Sequence, residues 1–343
     1  MQKITLERYG EGEYACYRIP GIVCTPKGTI LAYYEERLND DDWSARNIGI
    51  KRSTDEGNTW SACTHVLTGA VEDTINNPVM IACKDGTVHL FWQINYRRGF
   101  HQISRDDGIT FSQPEEITEQ LLPWREVYNW EKFAFGPCHG IEMSNGRLLI
   151  PVWLCNSKGN THKPTAVSTL VSDDGGNNWV CGEIIPSDDV VENPNETAAV
   201  EKSDHSIMLN MRHTAPTRLR AISISPDGLK GFTYPVFDQG LPDPICCAGL
   251  VKAPSGDFYF SNCAIASDDG KRAPRKHLTV RRSIDEGNTW ISFLEVEEFG
   301  GYSDVAVSPD GRWLYCFYEK GWYGNDENLP HELCIAKIDT SKL

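Results

Sequence analysis

Several charged stretches of the chain carry the residue types that a carboxylate-binding, acid–base site would need. Tyr17-Arg18-Ile19-Pro20 pins an arginine between an aromatic ring and a proline. Taken alone it reads as an edge strand ending at Pro20, its guanidinium solvated or paired with a surface acid. Arg37 is followed by Leu38-Asn39-Asp40-Asp41-Asp42-Trp43, an acidic loop tip that is either a solvated turn or the seat of a mobile proton donor. Glu196 stands 16 residues before Arg212, with the β-rich run Met208-Leu209-Asn210-Met211 leading into the arginine. A hairpin of that length returns the chain to the same end of its sheet, so both side chains can face one cavity. Planar guanidiniums grip a carboxylate bidentately. Arginines at strand ends, with acids among them, would hold an anionic ligand beside general acid–base groups.

The elements that must position these residues are read from a repeat. A short turn signal followed by a β-rich run occurs at Lys27-Gly28, Asp85-Gly86, Asn145-Gly146, Asp204-His205, Ser255-Gly256 and Asp310-Gly311, at intervals of 51 to 60 residues. These are hairpin turns feeding strands. A near-constant period of this size marks a radial or solenoid array. Six units without long amphipathic helices predict an all-β fold, a six-bladed β-propeller with about four strands per blade.

A second pattern is interleaved with the first. Ser53-Thr-Asp55-Glu-Gly57-Asn-Thr59-Trp60 recurs as Ser283-Ile-Asp285-Glu-Gly287-Asn-Thr289-Trp290, with close variants at Ser104–Phe111 and Ser172–Trp179 and a degraded copy at Ser225-Pro-Asp227-Gly228. Asp and Ser side chains satisfy turn amides, Gly takes the positive φ, and the closing aromatic plugs between adjacent sheets. These aspartates are turn staples, not catalysts.

Such Asp boxes on a repeat of this length, with Tyr-Arg-Ile-Pro near the start, make the chain resemble the sialidases (exo-α-sialidase, neuraminidase) over essentially its whole length. The resemblance implies residues 1–343 as a single sialidase-like propeller domain with its active site at the axial mouth. It implies a retaining hydrolase that removes terminal sialic acids from sialylated oligosaccharides through a covalent tyrosyl intermediate. By the same resemblance Arg18, Arg212 and Arg275 grip the substrate carboxylate, with Arg272 and Arg281 as rivals for the third place. Tyr302, in Gly301-Tyr302-Ser303-Asp304, matches the nucleophile, and Glu196 its partner. A neutral phenol suits an anomeric carbon whose own carboxylate repels an anionic nucleophile. Asp42, five residues after Arg37, matches the acid, with Asp41 one residue away as the alternative. Arg37 and Asn77 fall among the substrate-binding positions. Many bacterial relatives have Asp-Pro where this chain has Asn77-Pro78, which leaves the ring-hydroxyl contacts open. Glu319 matches the acid that holds the first arginine. The alternatives are an intramolecular trans-sialidase, a hydrolase for a related nonulosonate, or a non-catalytic glycan-binding propeller.

Composition narrows the partners. The formal net charge of −15 argues against nucleic acid and anionic membrane, which select basic patches. An anionic substrate must therefore be drawn in by a local arginine cluster. The 12 cysteines form no C-x-x-C pair and the nine histidines show no zinc spacing, so neither a structural metal nor a cofactor is expected. The first residues lack a signal peptide's apolar core, which with the scattered cysteines suggests a cytoplasmic protein. Trp43, Trp92, Trp130 and Trp153 read as blade core rather than pocket wall.

Overall fold

The computed structural model describes residues 1–66, 72–187, 190–266, 273–321 and 331–342. They form six antiparallel sheets arranged as the blades of a β-propeller. Blade I runs from its inner strand outward as Cys16–Cys24, Ile30–Arg37, Ala45–Ser53 and Thr64–His65. Blades II to V follow the same order along the chain, with inner strands beginning at Ile75, Lys132, Thr197 and Gly249. Blade VI has Gly300–Val307 inside and takes its outermost strand, Gln2–Arg8, from the other end of the chain. That strand pairs antiparallel with Glu332–Asp339, from Gln2 opposite Lys337 to Arg8 opposite Glu332, and closes the ring.

The strand sequences follow from where each strand sits. Every residue of Ile30–Arg37 is buried, because neighbouring blades cover both faces of a central strand. Apolar clusters fill the gaps between blades; between I and II they include Val23, Leu31, Ile48, Leu90 and Trp92. Each Asp box joins the third strand of its blade to the fourth. In blade I, Ser53 Oγ donates to Asp55 Oδ1 (2.8 Å), and Asp55 accepts from the Thr59 backbone N–H (2.9 Å) and hydroxyl (2.7 Å). Gly57, at φ +80°, gives its N–H to Ser53 Oγ. The same bonds pull Asp55, Asp106 and Asp174 down to about 2, as befits acids tied into turns. The closing aromatic packs on the preceding blade, Trp60 against Tyr315 and Phe317, Trp179 against Phe91.

What the repeat does not announce is a bulge in the inner strands at the mouth. Register shifts fall between Arg18 and Gly21, Asn76 and Val79, and Gly300 and Ser303. Ile19 (φ +58°) and Asn77 (φ +44°) take the left-handed region there, a conformation costly for a β-branched residue. Bulges re-aim side chains, and these three carry Arg18, Asn77 and Tyr302. In blade III the inner strand is broken outright, Lys132–Phe135 and Ile141–Glu142 flanking the segment that holds Cys138 and His139.

Candidate active site

Tyr302 stands at the centre of the mouth, its residue only 7% exposed. The guanidinium carbons of Arg18, Arg212 and Arg275 lie 5.1, 5.7 and 4.7 Å from its ring centroid. The phenol donates to Glu196 Oε1 (2.5 Å) and accepts from Arg212 Nη1 (2.6 Å), and Arg212 Nη1 also bonds Glu196 Oε2. The hairpin does what its length requires. Glu196 and Arg212 flank the strands Thr197–Glu201 and Ile207–Met211, and Arg212 N donates to Glu196 O across the open end. Burial pushes the Tyr302 phenol well above its ordinary value of 10, and the three arginines pull it back only in part. It is therefore a neutral phenol that needs a base to become a nucleophile.

Glu319 holds two parts of this arrangement at once. Its Oε1 accepts from Arg18 Nε (3.0 Å) and Ile19 N (3.2 Å), and its Oε2 from Arg18 Nη2 (3.3 Å) and Tyr302 N (3.0 Å). One carboxylate thus fixes the first arginine and the backbone of the tyrosine.

Of the three consecutive aspartates, Asp42 brings its carboxylate to the arginines, while Asp40 offers Arg37 Nη1 only its backbone carbonyl (3.4 Å). Asp42 Oδ1 is 3.0 Å from Arg37 Nη1 and 3.8 Å from Arg18 Nη1, and its side chain is 48% exposed. Asp41 instead accepts from Trp43 N (2.7 Å) as a turn staple. Burial opposes ionisation of Asp42, but Arg37, then Arg18 and His162, outweigh it and hold the carboxyl below its usual range. Arg37 is itself gripped by Glu35, which is wholly buried and also accepts from Asn77 N (2.7 Å). The Asn77 amide donates to Phe135 O at 3.4 Å.

Arg281 is not part of the cluster; it bonds Asn262 Oδ1 (2.6 Å) within blade V. Arg272 lies outside the described residues. Arg275 Nη2 donates to Ile245 O (3.3 Å), and the turn around Ile245 is set by Asp243, which accepts from Ile245 N and Cys246 N. Asp243 pairs in turn with Arg220 (2.8 Å), which is fully buried and also reaches Glu196 O (3.5 Å).

Glu35, Arg220 and Asp243 escape sequence reasoning, because each touches other protein groups and sits in an ordinary strand or turn. The reading of all four tryptophans as core needs correction at Trp43. Trp92 and Trp130 are buried in the blades, but Trp43 is half-buried beside Asp42. Its ring is 5.1 Å from Tyr96 and 5.7 Å from His162, and Trp153 lies 5.6 Å from His162. These rings form one wall next to Asp42, with His162 Nδ1 3.8 Å from Asp42 Oδ2. Burial keeps His162 below its ordinary value despite Asp42, so it is neutral near pH 7. The cavity of about 530 Å³ along the axis is a different place; its lining, with Lys84, His139, Glu142 and Lys252, comes from the far ends of the inner strands. Asp42, Glu196 and Tyr302 all lie at the mouth.

Comparison with known proteins places the chain among relatives. The family of BNR repeat-like domains matches residues 28–315. A sialidase of Micromonospora viridifaciens is 30% identical over 91% of this chain and 51% of its own length. A sialidase of Bacteroides fragilis is 29% identical over 87% of this chain and 59% of its own. The chain thus spans between half and three fifths of these curated relatives. Among solved structures, a Hadza microbial sialidase superposes with a TM-score of 0.83 at 22% identity, covering 99% of this chain and 69% of that one.

Proposed function

The chain belongs to the BNR-repeat sialidase family, and from that premise we propose that it is a retaining exo-α-sialidase acting on terminal sialic acids of sialylated oligosaccharides. The observation that carries the proposal is the Tyr302 hydroxyl, held between Glu196 and Arg212 inside a ring of three guanidiniums.

In this reading Arg18, Arg212 and Arg275 bind the substrate's carboxylate, which sets the anomeric carbon over Tyr302. The phenol oxygen attacks that carbon while its proton passes to Glu196 Oε1, so no anion has to approach the substrate's own charge. Asp42 gives a proton to the departing glycosidic oxygen as its bond to the anomeric carbon breaks. Water, deprotonated by Asp42, then attacks the tyrosyl-linked sugar from the opposite face. The phenolate leaves and recovers its proton from Glu196, and two inversions give net retention. Arg18, in contact with Glu319, and Arg37, in contact with Glu35, are pre-aligned before substrate arrives, which favours rapid reaction over mere binding.

The test is proton NMR of 3′-sialyllactose turnover. The expected first product is the α-anomer of free sialic acid, followed by slow mutarotation. A first-formed β-anomer would remove the covalent intermediate, an anhydro sugar would make the chain an intramolecular transferase, and no cleavage would leave only a glycan-binding propeller.

A further inference from the structure

On the seam between blades I and VI, outward from the mouth arginines, three side chains of metal-binding type converge. Glu36 comes from the second strand of blade I; Cys63 and His65 come from its outer edge. Glu36 Oε1 lies 3.2 Å from His65 Nε2 and 3.7 Å from Cys63 Sγ, and all three donor atoms fall within 4.8 Å of one another. With zinc bonds of about 2.0–2.1 Å to N and O and about 2.3 Å to S, a tetrahedron has O–N and O–S edges near ~3.3 and ~3.5 Å. We propose that Glu36, Cys63 and His65 bind a divalent transition-metal ion of the zinc class.

Two further observations point to a ligand. Glu36 is 2% exposed, and its second oxygen, Oε2, is buried with no hydrogen-bond partner among the described residues. A buried carboxylate with one oxygen lacking any donor is costly, and a cation bound at this carboxylate offsets its charge. The second observation is Gly49, which pairs with Tyr34 on one side and His65 on the other. A Cβ there would fall 2.7 Å from Tyr34 Cε2, 2.8 Å from Cys63 Sγ and 2.9 Å from Glu36 Oε1. Gly49 has no positive φ to explain it; its missing side chain makes room for the Tyr34 ring and for the space between the donors alike. That bare position lets groups two strands apart, about 10 Å between backbones, meet across it.

The surroundings suit a structural ion. The Tyr34 hydroxyl lies 3.3 Å from Cys63 Sγ and bonds Glu7 on the ring-closing strand, where it can orient the sulfur. Lys51 pairs with Glu7 (2.8 Å) and donates to Leu6 O (2.8 Å), tying the same strand down. The His65 side chain is 38% exposed, which leaves an entry path and room for water as a fourth ligand. Thiolate with imidazole selects zinc over magnesium or calcium. The ion would fasten the two-residue edge strand Thr64–His65 to the second strand of blade I.

The experiment uses the full chain, stripped with chelator and titrated with cobalt(II), then zinc(II). One equivalent of cobalt should bind with the intense visible bands of four-coordinate geometry and a sulfur-to-cobalt charge-transfer band, which zinc then abolishes. Zinc should raise Tm in a concentration-dependent way. Cys63→Ser should remove the charge-transfer band. His65→Asn, at an exposed edge where folding is not at risk, should weaken zinc binding at least tenfold. Cys24→Ser, elsewhere in blade I, should change nothing. Substoichiometric cobalt, a six-coordinate oxygen-ligand spectrum, or equal zinc affinity in wild type and His65→Asn would each overturn the proposal.

Discussion

Replacing Glu319 with glutamine isolates charge from shape at the point where the arginine clamp and the nucleophile are held together. Each carboxylate oxygen accepts one guanidinium N–H of Arg18 and one backbone N–H, of Ile19 on one side and Tyr302 on the other. An amide can present its oxygen to only one pair. Whichever way it turns, its NH2 faces one guanidinium donor and one backbone donor in a site that is 1% exposed. Both bonds lost end on an ionised carboxylate, and such charge-assisted bonds contribute about 1.5–3 kcal/mol each. Glu319→Gln should therefore lose about 3 kcal/mol, the lower end of the range for breaking a buried ion pair. Urea denaturation at neutral pH measures it directly as a shift of midpoint at constant slope. Ligand affinity is the less clean readout, because losing an anion strengthens the clamp's positive field while freeing Arg18 to move. A loss below ~1 kcal/mol, within the range of ordinary surface changes, would refute the claim that this carboxylate carries the arrangement.

Tyr302→Phe should lose nearly all turnover yet bind an unsaturated sialic acid analogue almost normally, and a fluorinated sialosyl fluoride should label the wild type on Tyr302 by mass spectrometry and leave the variant unlabelled. Arg275→Ala should lower kcat/KM by ~100-fold, about 3 kcal/mol, whereas Arg281→Ala, bonded within blade V, should act on stability more than on KM. Asp42→Ala should lose natural sialosides far more than aryl sialosides, while Asp41→Ala, which removes only a turn staple, should stay near wild type on both. Because Asp42 is held below the usual carboxylate range in the free protein, and a bound anion beside Arg18 favours its protonated form, the alkaline limb of kcat should lie at higher pH than that of kcat/KM for 3′-sialyllactose; coincident limbs would count against Asp42 as the acid.

The blade count was legible in the sequence because every blade repeats one local signal, the turn before its second strand, and blades I to V add a full or degraded box after the third. Both are solved by residues a few positions apart, so they survive as motifs. His205 takes φ +67° where the corresponding turns use Gly28, Gly86, Gly146, Gly256 and Gly311, and the period still finds it. The mouth was legible only in part. Arg18, Glu196, Arg212, Arg275, Tyr302 and Glu319 are brought together, but through contacts spanning up to 301 residues that no spacing could show. The supporting residues left no local trace. Glu35 sits in a fully buried strand and Arg220 beside others of its kind, with nothing nearby to mark them as buried ions. The metal-type cluster was invisible for the same reason: Cys63 and His65 lie two residues apart at the outer edge of blade I, but Glu36 comes from its second strand.

Charge explains why this arrangement is poised rather than merely assembled. The chain as a whole carries −15, which repels an anionic sugar at long range. At the mouth, Arg18, Arg37, Arg212 and Arg275 face Glu35, Asp42, Glu196 and Glu319, so the site is close to neutral before anything binds. Two of those carboxylates, Glu35 and Glu319, are buried and fixed in hydrogen bonds, and they stay where they are. The other two are the ones to which the proposed mechanism gives chemistry. Asp42 is half-exposed against Arg37 and Arg18, and Glu196 is bonded to Tyr302 and Arg212. An arriving carboxylate competes with these two for the same guanidiniums. It thereby weakens what keeps Asp42 ionised, and so readies the acid only when there is a leaving group to protonate. In the proposed mechanism the clamp that selects the substrate is then also the device that sets the acid's protonation state, and the ordering of binding before proton transfer follows from sharing one set of arginines.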